Sequence, residues 1–76
     1  MNYTVLTFQA THYVLKAEKI LLEKGFKFDI IPTPKDISSD CGMSIRFDPE
    51  ITRNDSVAET LKLINIDFNI HEVWMK

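Results

Sequence analysis

The sequence contains little cysteine, glycine, proline or tryptophan, and it has no excess of positive charge. Its 76 residues include one cysteine, two glycines, three prolines and one tryptophan. A single thiol cannot form an internal disulfide, and it excludes both a CxxC redox pair and a cysteine-rich zinc site. Because small secreted domains usually carry several disulfides, the cysteine count indicates a reducing, cytoplasmic compartment.

The charge balance argues against a nucleic-acid partner, and the absence of long apolar runs argues against a membrane partner. Nine basic and eleven acidic residues give a net charge of −2. A dedicated nucleic-acid binder needs basic side chains to neutralise phosphates, so we expect no nucleic-acid partner. No apolar run approaches the roughly 18 to 20 residues that span a bilayer, and the first residues do not resemble a secretory signal. We therefore expect no membrane partner.

The length and the composition indicate a single globular domain over residues 1–76. Apolar residues make up 45% of the chain and charged residues 26%, which is ordinary for folded domains and unlike a disordered segment. A chain this short buries only about 60% of the surface that its unfolded form exposes, so its stability margin should be small.

Hydrophobic periodicity predicts four strands and two helices in the order βαββαβ. Apolar residues alternate with polar ones over 26–30, 43–47 and 66–71, and the first strand is predicted over 2–9. Apolar spacing at three, four and seven residues predicts helices over about 11–24 and 53–64. Thr11 and Thr52 are the predicted helix-start caps, and Gly25 is the predicted stop of the first helix.

This order of elements predicts an α+β domain with a ferredoxin-like fold. Two amphipathic helices can cover one face of a four-stranded antiparallel sheet, and right-handed crossovers then give the strand order 4-1-3-2. Some of Tyr3, Val5, Leu6 and Phe8 must lie on the face without helices. An apolar patch there would favour a homodimer or a docked partner.

The polar loop over 32–42 contains the only cysteine, Cys41. The predicted topology brings this loop to the end of the sheet where the first helix begins, and a helix N-terminus stabilises negative charge. That field and the charge of Lys35 should lower the thiol pKa below its usual value of about 8.5, whereas Asp40 should raise it. Gly42 has no β-carbon, so a partner could approach closely. The alternative is an inert, partly buried cysteine.

The remaining candidates are weaker. Thr11 and His12 begin the first helix, and a Cys–His pair could activate a nucleophile, although an exposed histidine is the simpler interpretation. Ser38 and Ser39 are expected to shape the loop through local hydrogen bonds, with anion contact as the alternative. His71 should face away from the core on an edge strand, and no metal site is expected. Trp74 is interpreted as a lid on the core, or else as part of an interface.

One stretch of the sequence resembles a known family. Residues 32–47 read PTPKDISSDCGMSIRF, and residues 11–19 read THYVLKAEK. Both segments resemble the Putative Se/S carrier protein-like family, a group of small bacterial domains in which the first helix tends to read Ala-Leu-Lys-Ala-Glu. Lys35 stands where that family has arginine. The positive charge is kept, but the planar guanidinium that binds an anion through two parallel hydrogen bonds is lost.

The resemblance implies a sulfur or selenium carrier in which Cys41 holds the cargo as a persulfide or selenosulfide. A carrier or accessory role is favoured over catalysis, with no cofactor and with a cysteine desulfurase-like protein as the donor. Two alternatives stay open: a non-catalytic interaction or regulatory domain, and a redox sensor whose thiol forms a mixed disulfide. Gain of one sulfur atom on Cys41 would separate the carrier from both.

Overall fold

The computed structural model describes residues 2–37 and 42–74. The chain forms six elements in the predicted order βαββαβ. They are β1 (Asn2–Thr7), α1 (Thr11–Glu23), β2 (Asp29–Pro32), β3 (Met43–Phe47), α2 (Asn54–Leu63) and β4 (Asn69–Trp74). No helix among these residues is long and apolar enough to cross a membrane.

The four strands form one antiparallel sheet in the order β2-β3-β1-β4. This is the predicted order 4-1-3-2 read from the other edge, so the ferredoxin-like prediction is confirmed. β1 is central, and Leu6 pairs with Ile45 of β3 on one side and with Ile70 of β4 on the other. The apolar residues at both parities of β1 predict contact on both faces, and Val5 and Leu6, which point to opposite faces, are both buried.

Both helices pack on one face of the sheet, which we call the helix-covered face and which carries Leu6 and Ile45. Their buried residues join one cluster with the strands: Leu6, Phe8, Val14, Ala17, Leu21, Ile45, Phe47, Val57, Leu61 and Ile66. The opposite side, which carries Thr7 and Ser44, is called the helix-free face. Because successive side chains of a strand point to opposite faces, neighbouring residues lie alternately on the apolar, helix-covered face and on the helix-free face.

The two helices end in the same way, and each end uses a residue with positive φ. Gly25 has φ 80°, and the N–H of Phe26 donates to the carbonyl of Leu21 at 3.0 Å. Asn65 has φ 57°, and the N–H of Ile66 donates to the carbonyl of Leu61 at 3.2 Å. These are Schellman-type stops. The predicted stop at Gly25 is confirmed, and an asparagine performs the same task in the second helix.

The predicted start of α1 at residue 11 is confirmed, whereas the predicted cap of each helix is wrong by one residue. Ala10 caps α1 with an extended backbone, φ −151° and ψ 155°, and Thr11 is already helical. Arg53 caps α2, also without a side-chain hydrogen bond. The buried Thr52 instead donates its hydroxyl to the carbonyl of Lys27 at 2.7 Å, which joins the segment before α2 to the segment before β2. Tertiary hydrogen bonding therefore competes with local capping at this threonine.

The second and fourth strands begin later than the alternation predicts. Phe26 and Ile66 donate their N–H groups to the ends of α1 and α2, so neither is available to a strand ladder. Pro32 pairs with Met43 as the last residue of β2 rather than interrupting it. Proline is tolerated there because β2 is an edge strand.

Candidate functional site

The loop between β2 and β3 has a well-defined base. Beyond the pair Pro32–Met43, the N–H of Thr33 donates to the carbonyl of Gly42 at 2.9 Å. The first residues of the loop form a turn in which the N–H of Ile37 donates to the carbonyl of Pro34 at 3.0 Å. The loop therefore connects the carboxyl end of β2 to the amino end of β3, and hydrogen bonds hold its two ends together.

Three predicted site residues, Cys41, Ser38 and Ser39, lie outside the described residues, as does Asp40. The predictions about their roles and about the thiol pKa stay predictions. The topology that motivated them is confirmed for the residues on either side. Thr7 at the end of β1 pairs with Ser44 near the start of β3, so α1 begins at the same end of the sheet as the loop.

The start of α1 has less capping than expected. Ala10 provides no side-chain acceptor for the first turn, and that turn contains no acidic residue. Thr11 and His12 are both exposed, and the imidazole of His12 contacts the neighbouring Tyr13 ring at a centroid distance of 4.1 Å, with the two ring planes tilted by 39°. The positive end of the helix dipole is therefore not neutralised by an acidic residue of its own first turn.

Lys35 and Gly42 are both exposed at the base of the loop. Lys35 lies within the turn that starts at Pro34. A methyl group built on Gly42 would meet no heavy atom of another described residue within 4 Å. The fold of the described residues thus gives no packing reason for glycine at this position.

Sequence reasoning missed a row of hydrogen-bonding side chains on the helix-free face. The Thr33 and Ser44 hydroxyls lie 2.7 Å apart, and Thr7 Oγ1 lies 3.3 Å from His71 Nε2. Thr7 and Ser44 face each other on neighbouring strands, so their β-carbons are about 4.5–5.5 Å apart. The row runs from the base of the loop to β4. The signal for this row in the sequence was the alternation of polar residues, such as Ser44, with the apolar residues of the same strand.

His71 and Arg46 also lie on the helix-free face. His71 faces away from the core on an edge strand, as predicted, and its imidazole is within hydrogen-bond distance of Thr7. Arg46 lies on the polar face of β3, where it forms an ion pair with Asp29 at 3.2 Å. Its guanidinium also lies 5.0 Å from the centroid of the Tyr3 ring. Arg46 is thus held by two neighbours rather than freely solvated.

The prediction that Trp74 forms a lid on the core is wrong. Trp74 pairs with Asn2 at the end of β4 and is 69% exposed. The reason is its edge strand, since no helix among the described residues covers this part of β4. Within the same residues, no group of three or more His, Cys, Asp or Glu side chains could hold a metal ion.

Comparison with known proteins gives one match. The model of the family described as Putative Se/S carrier protein-like matches residues 2–72. No curated protein and no solved structure matches the chain. The match covers every described element except the last two residues of β4.

Proposed function

The chain belongs to the Putative Se/S carrier protein-like family, and from this premise we propose that it carries one sulfur or selenium atom on Cys41. The observation that carries the proposal is the family match together with the only thiol in the sequence, which precedes Gly42 at the return of the loop. The acceptor chemistry requires a thiolate and needs no second cysteine.

The proposed step is a transfer between sulfur atoms with no net oxidation. The Cys41 thiolate attacks the terminal sulfur of a donor persulfide, and a new S–S bond forms on Cys41. The S–S bond in the donor breaks, and the donor leaves as a thiolate with the bonding electron pair. A selenium atom would move in the same way from a donor selenosulfide. Because no second thiol exists in the chain, the cargo cannot be expelled by an internal disulfide.

Two features of the described residues support this proposal. The loop base and the start of α1 lie at one end of the sheet, and a helix N-terminus favours anions. Lys35 adds an exposed positive charge in the same loop. Both would stabilise a thiolate and a bound chalcogen anion relative to their neutral forms.

The direct test is intact-mass measurement after the full chain is incubated with a cysteine desulfurase and cysteine. We expect the protein to gain one sulfur atom, and we expect Cys41→Ser to gain none. Failure of the wild-type chain to gain sulfur would contradict the carrier role and favour an interaction domain. An adduct with glutathione but not with sulfane sulfur would instead favour a redox sensor.

Gly42→Ala provides a matched variant, because the added methyl group meets no heavy atom of another described residue within 4 Å. If a protein donor must approach the loop closely, this variant should fold normally but accept sulfur more slowly from the desulfurase. Its reaction with small inorganic polysulfide should be unchanged. Equal slowing with both donors would show that the glycine acts on the thiol itself and not on docking.

A further inference from the structure

The two ends of the loop that contains Cys41 are joined by a side-chain contact as well as by the backbone. The N–H of Thr33 donates to the carbonyl of Gly42 at 2.9 Å, and the hydroxyl of Thr33 lies 2.7 Å from that of Ser44. Ser44 is fully buried. We call Thr33 and Ser44 the loop clasp, because they lie on either side of residues 34–41.

The other two strands of the sheet hold the clasp in place. Ser44 pairs with Thr7 of β1, and the hydroxyl of Thr7 lies 3.3 Å from Nε2 of His71 on β4. Thr7 is also buried, so protein rather than solvent surrounds this part of the row. Side chains that are both packed and hydrogen-bonded are held in one geometry. The clasp is therefore fixed to the sheet and not only to the loop.

The hydroxyls of the clasp contribute more to geometry than to stability. A hydrogen bond between neutral groups contributes little net free energy, because both groups bond to water in the unfolded chain. Its distance and its angles are nevertheless narrowly restricted. The contact between Thr33 and Ser44 therefore restricts how the end of β2 lies against the start of β3. These are the two points between which the loop is held.

We infer that Thr33 and Ser44 are positioning residues for the transfer of sulfur or selenium to Cys41, an inference that rests on the proposed carrier function. A chain segment held between two fixed ends adopts fewer conformations than one whose ends can separate. Because reacting groups must be aligned as well as close, the clasp raises the fraction of molecules in which a bound donor can react. Neither hydroxyl exchanges a bond or a proton with the cargo.

The test compares Thr33→Val, which removes the hydroxyl, with Thr33→Ser, which keeps it. Intact mass after incubation with cysteine and a cysteine desulfurase gives the rate of sulfur gain at each desulfurase concentration. We expect Thr33→Val to lower the maximal rate by roughly tenfold or more, with the half-saturating desulfurase concentration unchanged. Thr33→Ser should retain most of the wild-type rate.

Thr52→Val is the matched control for the loss of a hydroxyl. The hydroxyl of Thr52 also forms a 2.7 Å hydrogen bond, but its partner Lys27 precedes β2, at the end of the sheet opposite the loop. This variant should keep the wild-type rate of sulfur gain, even where thermal melts show that it is as destabilised as Thr33→Val.

Alkylation of Cys41 by iodoacetamide over a pH series separates positioning from ionisation. The pH profile of Thr33→Val should match that of the wild-type chain, because a small reagent needs no particular direction of approach. A shifted profile would overturn the inference, since it would show that the hydroxyl acts on the thiol pKa.

The remaining outcomes distinguish this inference from the carrier proposal. A wild-type rate in Thr33→Val would overturn the positioning role, as would a loss no larger than that of Thr52→Val or Thr33→Ser. In each case the chain would still gain sulfur, so the carrier proposal would stand. A wild-type chain that gains no sulfur would overturn the carrier proposal and this inference with it.

Discussion

Leu6 and Thr7 are neighbours in the central strand and are both buried, but they face opposite sides of the sheet. On the helix-covered face, Leu6 pairs with Ile45 and packs among side chains from both helices. On the helix-free face, Thr7 pairs with Ser44, and each hydroxyl has a polar partner on a further strand or loop residue. The helix-covered face is packed with apolar side chains, whereas the helix-free face combines hydrogen-bonded hydroxyls with the buried Val5.

This difference determines how each face should respond to substitution. Removing a buried methyl group loses transfer free energy and leaves a cavity. Removing a buried hydroxyl loses a hydrogen bond whose net contribution is smaller, although the abandoned partner adds a desolvation cost. Ion pairs between solvent-exposed side chains should contribute least to the free energy of unfolding, because water screens them. Three substitutions, Leu6→Ala, Ser44→Ala and Asp29→Asn, test this ranking.

Leu6→Ala should have the largest effect. Leu6 is 1% exposed in the middle of the central strand, so the substitution should lower the free energy of unfolding by about 2–5 kcal/mol. Urea denaturation monitored by circular dichroism measures the change. Leu22→Ala, on the exposed side of α1, should change it by less than about 0.5 kcal/mol. A similar loss in both variants would mean that burial on this face is not what stabilises the fold.

Ser44→Ala should have an intermediate effect of about 1 kcal/mol, because it removes the partner of the Thr33 hydroxyl. The double variant Ser44→Ala/Thr33→Val completes a double-mutant cycle. We expect a coupling free energy between the two hydroxyls of about 0.5–1.5 kcal/mol, again from urea denaturation. Purely additive effects would show that the 2.7 Å contact contributes nothing to stability and that the helix-free face is held by something else.

Asp29→Asn should have the smallest effect, between about 0 and 1 kcal/mol, because it removes only the ion pair with Arg46. The side chains of Arg46 and Asp29 are 26% and 68% exposed, so solvent screens the pair. The difference from wild type should shrink further at high salt. A loss as large as that of Leu6→Ala, unaffected by salt, would reverse the proposed order of the two faces.

Most of the fold could be predicted because its signals are local. Period-two alternation identified Met43–Phe47 as a strand, and the stop of α1 followed from Gly25. The starts of β2 and β4 were predicted too early, since the residues after each helix donate hydrogen bonds back to it. The cap of α2 was misassigned because Thr52 bonds to Lys27, which is 25 residues away in the sequence. Such a competition has no local signature.

Less of the candidate site could be predicted, for the same physical reason. The polar loop and Lys35 were evident from composition, and their position beside the start of α1 followed from the topology. The row from Thr33 to His71 was not evident, because Thr7 and His71 are separated by 64 residues and meet only across neighbouring strands. Trp74 was assigned to the core because hydrophobicity alone does not reveal which strand edge a helix covers.

The amino-acid sequence by itself determined the order of the elements, the side of each strand that faces the core and the family to which the chain belongs. These properties depend on neighbouring residues and on short repeats of two and three to four positions. Tertiary structure alone decided which hydroxyls form hydrogen bonds with each other and which edge of the sheet stays uncovered. It also decided that Thr52 bonds to Lys27 instead of capping α2. Those outcomes depend on contacts between distant residues, and such contacts exist only once the sheet has assembled.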